Sequence, residues 1–175
     1  DIKRKTALHY AAQGGHLELL KYLAEEKEVE VDTQNKKGET GLHYAAQGGH
    51  LEALKYLVGK GVEVNALDTK RKTALHYAAE EGHLEPFKYL VEKGAEVNAR
   101  DKEGKTALHY AAEEGDLEPL KYLVEKGAEV NDRDQWGESS LQIAARIGKL
   151  AMVKYLVEKG VEVNAQGEEG NTALH

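Results

Sequence analysis

The feature that most constrains this chain is a short phrase, TALHY in its commonest form, that returns at a nearly fixed interval. Successive copies start 34, 33, 33, 33 and 33 residues apart, at Thr6, Thr40, Thr73, Thr106, Ser139 and Thr172. A period in this range is typical of stacked units, each of which buries its apolar face only against its neighbours. The period predicts five units, at residues 1–34, 35–67, 68–100, 101–133 and 134–166, followed by the truncated start of a sixth at residues 167–175.

Each unit is predicted to form two short helices joined by a tight turn. In the first unit Thr6 suits the N-cap position, because its hydroxyl can bond an orphan backbone N–H of the first turn. Leu8 and Ala12 then fall on one helix face. The second helix starts near Leu17, and in later units a glycine marks its end: Gly61, Gly94, Gly127 and Gly160. Helices this short are marginal alone in water, so the pattern predicts an all-α stack of mutually buried pairs.

Two irregularities interrupt the period. The first unit has one extra residue between Leu23 and Val31, where AEEKEVEV replaces the VGKGVEV of the second unit and the glycine is lost. Arginine stands in place of the turn glycine at Arg4 and Arg71. Units three and four, by contrast, differ at only six of 33 positions. High repeat identity favours a consensus-derived scaffold, whereas the irregular first and fifth units favour natural origin or ancestry.

Composition excludes several functional classes. The chain has no cysteine, which excludes disulfides, thiolate metal sites and thiol nucleophiles, and which fits a reducing compartment. Its formal net charge of −7 argues against general nucleic-acid binding. Apolar runs are far below the roughly 18 residues that span a bilayer, and no leader pattern opens the sequence. We therefore expect a protein of the cytoplasm or nucleus, with no nucleic-acid or membrane partner.

The segment DKEGKTALHYAAEEGDLEPLKYLVEKGAEVN at residues 101–131 resembles an ankyrin repeat, and similar segments recur over nearly the whole chain. The departures are mild: alanine replaces the motif proline at Ala7, Ala74, Ala107 and Ala173, and Gln142 replaces the motif histidine. The resemblance implies an all-α ankyrin-repeat solenoid of stacked helix-turn-helix units with projecting β-turn fingers. It also implies a scaffold that binds a protein partner through its concave face and its fingertips.

The eight histidines do not indicate catalysis or metal binding. Five of them belong to the repeated phrase, and a group that recurs once per unit is more typical of architecture than of a reactive site. The resemblance implies that this imidazole bonds the cap threonine and nearby backbone across repeats. No H-E-x-x-H or G-x-S-x-G motif is present, so we expect no enzyme activity, no metal and no cofactor.

The candidate contact residues lie at the fingertips and on the helix side that, by the resemblance, lines the concave surface. Trp136 is the only tryptophan, and it occupies a turn where other units carry Lys or Glu, which suits an interface anchor. Packing of Trp136 against Ile143 or the neighbouring finger is the alternative, and a tyrosine ladder that only covers the stack is equally open. The predicted partner-binding residues are Trp136, Tyr110, Tyr77, Arg146, Ile147, Lys70, Arg71, Lys72, Lys102, Glu80, Glu81, Glu113 and Glu114.

The sequence thus predicts a non-catalytic scaffold for protein–protein interaction, with basic fingertips that could face an acidic segment of its partner. Two alternatives stay open: a designed or consensus-derived structural scaffold without a native partner, and a recognition fragment of a larger protein. Neither end of the sequence carries the polar capping repeat that such stacks normally need. Self-association through the uncapped ends is therefore a further expectation.

Overall fold

The computed structural model describes residues 5–161, and the regular structure in that range is helical. Ten α-helices lie there in five consecutive pairs: α1 Ala7–Gln13 and α2 Leu17–Lys21, α3 Gly41–Gln47 and α4 Leu51–Gly59, α5 Ala74–Glu80 and α6 Leu84–Glu92, α7 Ala107–Glu114 and α8 Leu117–Glu125, and α9 Ser140–Arg146 and α10 Leu150–Glu158. The strand-like pairing within residues 5–161 is limited to one antiparallel bridge between Arg133 and Ser139. The predicted all-α class is confirmed. No helix in the described range is both long and apolar enough to cross a bilayer.

The first helices begin directly after the predicted cap residues, and the later second helices end two residues before the predicted glycines. The N-cap of each first helix is the hydroxyl residue of the phrase, with an extended backbone: Thr6, Thr40, Thr73, Thr106 and Ser139. In the four later pairs, a glycine two residues beyond the second helix turns the chain. Gly61 and Gly94, for example, have φ of +87° and +89°, a region that glycine enters without a Cβ clash. Both the start signals and the stop signals are confirmed.

The core of the helix pairs is made mainly of leucine and alanine. Leu8, Ala11 and Ala12 of α1 have no exposed surface, and neither do Leu54 and Leu57 of α4. Because an alanine side chain is a single methyl group, it lets the backbone of a neighbouring helix approach closely. Each fully buried leucine contributes about 2 kcal/mol by removing apolar surface from water. Packing between pairs, rather than helix propensity, therefore holds these short helices in place.

The chain divides into two compact units, the first ending at Glu96 and the second beginning at Val97. Within the first unit α1 packs against α3 and α3 against α5, and each of these helices also packs against the second helix of its own pair. Within the second unit α7 packs against α9 and α8 against α10. The division falls inside residues 68–100, and the repeat boundaries read from the sequence stay a prediction.

The extra residue of the first repeat is taken up by a local change of helix type. α2 stops at Lys21, and Tyr22–Glu26 continue it as a π-helical turn. A π turn holds one more residue than an α turn, so the insertion is accommodated locally. Glu28 then adopts a left-handed φ of +52°, a conformation that glycine adopts after the later second helices.

Candidate functional site

The histidine of the repeated phrase forms a hydrogen-bonded bridge, as His43 illustrates. Its Nδ1 accepts a hydrogen bond from the backbone nitrogen of Thr40 at 3.0 Å. Its Nε2 therefore carries the proton and donates to the carbonyl oxygens of Ala66 at 3.0 Å and Lys72 at 3.2 Å, in the segment that leads to the next helix pair. The predicted bridging role of this histidine is confirmed.

Burial lowers the pKa of three bridging histidines below the ordinary value. Desolvation is the main cause at His9, His43 and His109, although nearby carbonyls and carboxylates partly oppose it. The neutral ring is the form that accepts at one nitrogen and donates from the other, so burial and bonding favour the same state. Within residues 5–161, no group of three or more His, Asp or Glu side chains is placed to hold a metal ion.

A buried aspartate organises the turn before α5 and the turn before α7, and each aspartate also binds a tyrosine of the helix that follows. Asp68 Oδ1 accepts from the backbone nitrogen of Lys72 at 2.8 Å. Asp68 Oδ2 accepts from the hydroxyl of Tyr77 at 2.7 Å. In the second unit Tyr110 donates to Asp101 at the same distance. Each bond ties a helix to the turn that precedes it.

Tyr77 and Tyr110 are consequently buried. Their exposed fractions are 8% and 5%. Desolvation and the hydrogen bond to Asp68 raise the pKa of the Tyr77 hydroxyl far above its ordinary value. A ladder that covers the stack, the alternative left open by the sequence, describes these two rings better than an exposed contact surface does.

Four of the predicted charged contact residues are paired inside the chain: Lys72, Glu80, Glu113 and, as described below, Arg146. Lys72 is 8% exposed, and its Nζ lies 2.7 Å from Glu80 Oε2. Glu113 pairs with the Nζ of Lys105 at 2.5 Å. These ion pairs join the residue before the cap to the end of the first helix. The predicted contact set omits Lys105, although its spacing of eight residues from Glu113 repeats the spacing of Lys72 from Glu80.

The other predicted charged residues of the turns and helix ends are exposed: Lys70, Arg71, Lys102, Glu81 and Glu114. Arg71 has a left-handed φ of +61°, whereas three other turns place a glycine there: Gly38, Gly104 and Gly137. A residue with a Cβ loses about 1–2 kcal/mol in this conformation. One turn tip therefore keeps an exposed arginine at a cost in stability.

Trp136 is held at a turn tip with 50% of its surface exposed. Its backbone nitrogen donates to Asp134 Oδ1 at 2.9 Å. The Nζ of Lys105, before the preceding helix, lies 5.6 Å from the indole centroid, which is within cation–π range. The backbone nitrogen of Gln135 donates to the carbonyl of Glu103 at 2.8 Å and joins the two turns. The indole thus lies against the neighbouring finger and keeps half of its surface in solvent.

Arg146 ends α9 and connects to the same turn, and Ile147 follows it as the C-cap residue. The Arg146 side chain is 57% exposed and binds Glu138 in a forked pair, with Nε–Oε1 at 2.9 Å and Nη2–Oε2 at 3.2 Å. The backbone nitrogen of Glu138 donates to Asp134 Oδ1 at 2.9 Å, the oxygen that also receives the Trp136 N–H. Ile147 is half-buried. We call Trp136, Arg146 and Ile147 the Trp136 patch.

One carboxylate oxygen of Asp134 lacks a hydrogen-bond donor in the part of the chain that the structure describes. Its Oδ2 is buried and has no hydrogen-bond partner among residues 5–161. The matching oxygens of Asp68 and Asp101 each accept from a tyrosine hydroxyl, but the fifth repeat has Ile143 at the tyrosine position. The missing donor can be read from the sequence, because the equivalent position of the four earlier repeats is a tyrosine and that of the fifth repeat is Ile143.

Replacing Ile143 with tyrosine is expected to supply the missing donor. A hydrogen bond to a charged group contributes about 1.5–3 kcal/mol. The I143Y variant should therefore have a free energy of unfolding at least about 1.5 kcal/mol above that of I143F, which carries the same ring without the hydroxyl. Urea unfolding of the two variants beside the unaltered chain measures the difference. Equal stabilities would show that Asp134 Oδ2 gains nothing from the hydroxyl.

Comparison with known families agrees with this geometry. A family model described as ankyrin repeats in three copies matches residues 1–68 and 62–134. A second model, described as ankyrin repeats in many copies, matches residues 123–175. No match was found among the curated proteins. The paired helices, the bridging histidines and these matches together show that the chain belongs to the ankyrin-repeat family, whose repeats are generally modules for protein–protein interaction and are typically non-catalytic.

Proposed function

We propose that this chain is a non-catalytic scaffold that binds a protein partner through its turn tips and the helix side that lines the concave face in ankyrin repeats. The Trp136 patch is its main contact. The observation that supports this most is the indole of Trp136, which stays half-exposed although its turn is fixed by hydrogen bonds. Tryptophan is among the residues most enriched at the energetic centres of protein interfaces.

The patch is pre-organised for binding. Asp134 holds the backbone on both sides of the indole, and Glu138 fixes the guanidinium of Arg146 while leaving the side chain 57% exposed. Side chains that are already ordered lose little conformational entropy when a partner docks. The remaining N–H donors of Arg146 suit a carboxylate or a carbonyl of the partner, and Ile147 adds apolar surface beside it.

The first unit offers a second, basic contact at the turn tip that contains Lys70 and Arg71. Both are exposed, and Arg71 is kept in a left-handed conformation where glycine would be less strained. Residues in strained conformations tend to cluster at functional positions, which supports a role for this tip. An acidic segment of a partner is the chemistry that such a tip favours. Lys102 in the second unit has the same sign of charge.

The buried and half-buried residues of the predicted set stabilise the turns that carry this surface, and the partner contacts lie mainly on the exposed residues. Tyr77 and Tyr110 hold their turns through aspartates, and Lys72, Glu80 and Glu113 act through ion pairs. Exposed Glu81 and Glu114 supply the negative charges that select against the wrong partner.

Affinity capture from a cytosolic extract tests this proposal. The baits are the unaltered chain, the W136A/R146A variant and a matched control, L67A/R100A, whose residues are 43% and 46% exposed and lie outside the patch. We expect one partner to be retained by the unaltered chain and the control, and to bind the W136A/R146A variant at least about tenfold more weakly. Tyr110 is left unaltered because it is buried.

The other outcomes are equally informative. Equal capture by all three baits would contradict the patch and move the site toward the tip of Lys70 and Arg71. Capture of no specific protein by any bait would contradict partner binding and favour the consensus-derived scaffold, which the near identity of units three and four suggests. Salt-sensitive retention on heparin would instead favour nucleic acid.

A further inference from the structure

The two carboxylate oxygens of Asp134 differ in what they bind. Oδ1 accepts from the backbone nitrogens of Trp136 and Glu138, each at 2.9 Å, and so fixes the turn. Oδ2 is buried and has no hydrogen-bond partner among residues 5–161, in a residue that is only 7% exposed. Buried charged oxygens without a donor are costly and rare in folded proteins. A donor from another molecule is therefore the expected complement of Oδ2.

Two equivalent turns show which donor such an oxygen takes. Asp68 Oδ2 accepts from the hydroxyl of Tyr77, and Asp101 Oδ2 accepts from the hydroxyl of Tyr110, each at 2.7 Å. In both turns Oδ1 binds backbone nitrogens, as it does in the fifth repeat. Because Ile143 stands at the tyrosine position of the fifth repeat, this repeat has the same acceptor but no phenol hydroxyl of its own.

A neutral donor suits this buried oxygen better than a charged one. Moving an ammonium or guanidinium group out of water costs far more than moving a hydroxyl. The two cations that interact electrostatically with Asp134 are Lys105 and Arg146, and both are already paired, with Glu113 and Glu138 respectively. The hydroxyl of an aromatic ring, which the equivalent turns use, is therefore the donor that the site favours.

The indole of Trp136 belongs to the same turn and supplies a surface for an aromatic ring. It is 50% exposed, whereas the backbone of its turn is held by Asp134 and by the hydrogen bond from Gln135 to Glu103. Exposed side chains change rotamer within nanoseconds, so the indole can move aside to uncover the carboxylate while the turn stays fixed. Aromatic rings then pack together in offset or edge-to-face contacts.

We propose that Asp134 Oδ2 and the indole of Trp136 form a recognition site for a tyrosine side chain of the protein partner. The hydroxyl of that tyrosine donates to Oδ2, as Tyr77 and Tyr110 do within the chain, and its ring packs against the indole. This inference rests on the proposed function, since it names the side chain that the partner brings to the Trp136 patch. The third and fourth repeats lack such a site because their own tyrosines occupy the equivalent oxygens.

Titration of the full chain with two capped amino acids tests the proposal. The probes are N-acetyl-tyrosinamide and N-acetyl-phenylalaninamide, which differ only by the hydroxyl. Trp136 is the only tryptophan, so its indole N–H gives one signal in a ¹H–¹⁵N correlation spectrum. We expect the tyrosine probe to shift this signal saturably. It should bind at least about tenfold more tightly than the phenylalanine probe, as a hydrogen bond to a charged group predicts.

Two variants show which oxygen receives the hydroxyl. In I143Y the introduced hydroxyl takes Asp134 Oδ2, so the tyrosine probe should bind at least about tenfold more weakly than to the unaltered chain. L67Y is the matched control, because Leu67 is 43% exposed and lies outside the Trp136 patch. It adds the same side chain and should bind the probe like the unaltered chain. Far-UV circular dichroism should show the same helicity for all three proteins.

Several results would overturn the proposal. Equal affinity for the two probes would show that the hydroxyl is not recognised, and unchanged binding to I143Y would show that Oδ2 is not the acceptor. A signal that neither probe shifts would leave an ordered water as the donor. Tighter binding of N-acetyl-argininamide would assign the oxygen to a cation.

The titration uses no partner, so its result is separate from that of the capture experiment. Equal capture by the unaltered chain and the W136A/R146A variant contradicts the proposed function. A failed titration beside specific capture contradicts only the tyrosine site.

Discussion

Replacement of His43 by alanine is expected to lower the free energy of unfolding by about 3 kcal/mol. His43 is 2% exposed, and its ring joins the backbone N–H of Thr40 to the carbonyls of Ala66 and Lys72. Alanine would leave these groups without their partner and would open a cavity in the place of the ring. Urea unfolding followed by far-UV circular dichroism measures the loss.

Two variants make this result interpretable. His16 is exposed, so H16A should change stability by no more than about 0.5 kcal/mol. H43Q should keep part of the stability that H43A loses, because Gln142 in the fifth repeat already accepts from the backbone nitrogen of Ser139 at 3.0 Å. A loss in H43A no larger than that in H16A would contradict the bridging role.

Stability is also expected to fall as the pH drops below about 6.5. Burial lowers the pKa of His9, His43 and His109 in the folded chain, whereas in the unfolded chain each imidazole titrates near its ordinary value. Above that value both states are neutral, and the full stability is present. At lower pH the unfolded chain takes up protons first. The free energy of unfolding then decreases by about 1.4 kcal/mol per pH unit for each histidine, until the folded ring is protonated as well.

The H43Q variant measures how much His43 contributes to the pH dependence of the free energy of unfolding. Urea unfolding between about pH 7.5 and about pH 5.5 should give a shallower slope for H43Q than for the unaltered chain. The carboxyl group of Glu39 contributes to the pH dependence of stability only at more acidic pH. Burial opposes its charge, but hydrogen bonds from Tyr44 and Asn35 outweigh that effect and lower its pKa. Identical slopes in the two proteins would refute the assignment of acid sensitivity to His43.

The fold could be predicted in detail because its signals are local and repeated. Thr40 marks a helix start by its own hydroxyl and backbone, and Gly94 marks a stop by its freedom to take a positive φ. Neither signal depends on distant residues. The bridging role of His43 followed from its recurrence once per unit and from the family resemblance.

The candidate site could be predicted only in part, because exposure depends on contacts that no local pattern contains. A helical wheel places Tyr77 on the side away from the leucine face. It does not reveal that the Tyr77 hydroxyl donates a hydrogen bond to Asp68, nine residues earlier, which buries the ring. The positive charge of Lys72 and its place in a turn led to its prediction as a fingertip contact residue. In the structure its ammonium group is buried against Glu80 instead. Trp136 was found because it is unique, which composition alone reveals.

The π-helical turn at Tyr22–Glu26 lets one repeat be longer than the others without a change in its contacts with the next repeat. The first interval in the sequence is one residue longer than the others, yet His9 reaches the carbonyl of Glu39 just as His43 reaches that of Lys72. An insertion of one residue at the end of a second helix therefore leaves the packing between neighbouring repeats nearly unchanged. Evolution or a protein engineer can vary the chain length at this point and leave the inherited contacts between neighbouring repeats in place.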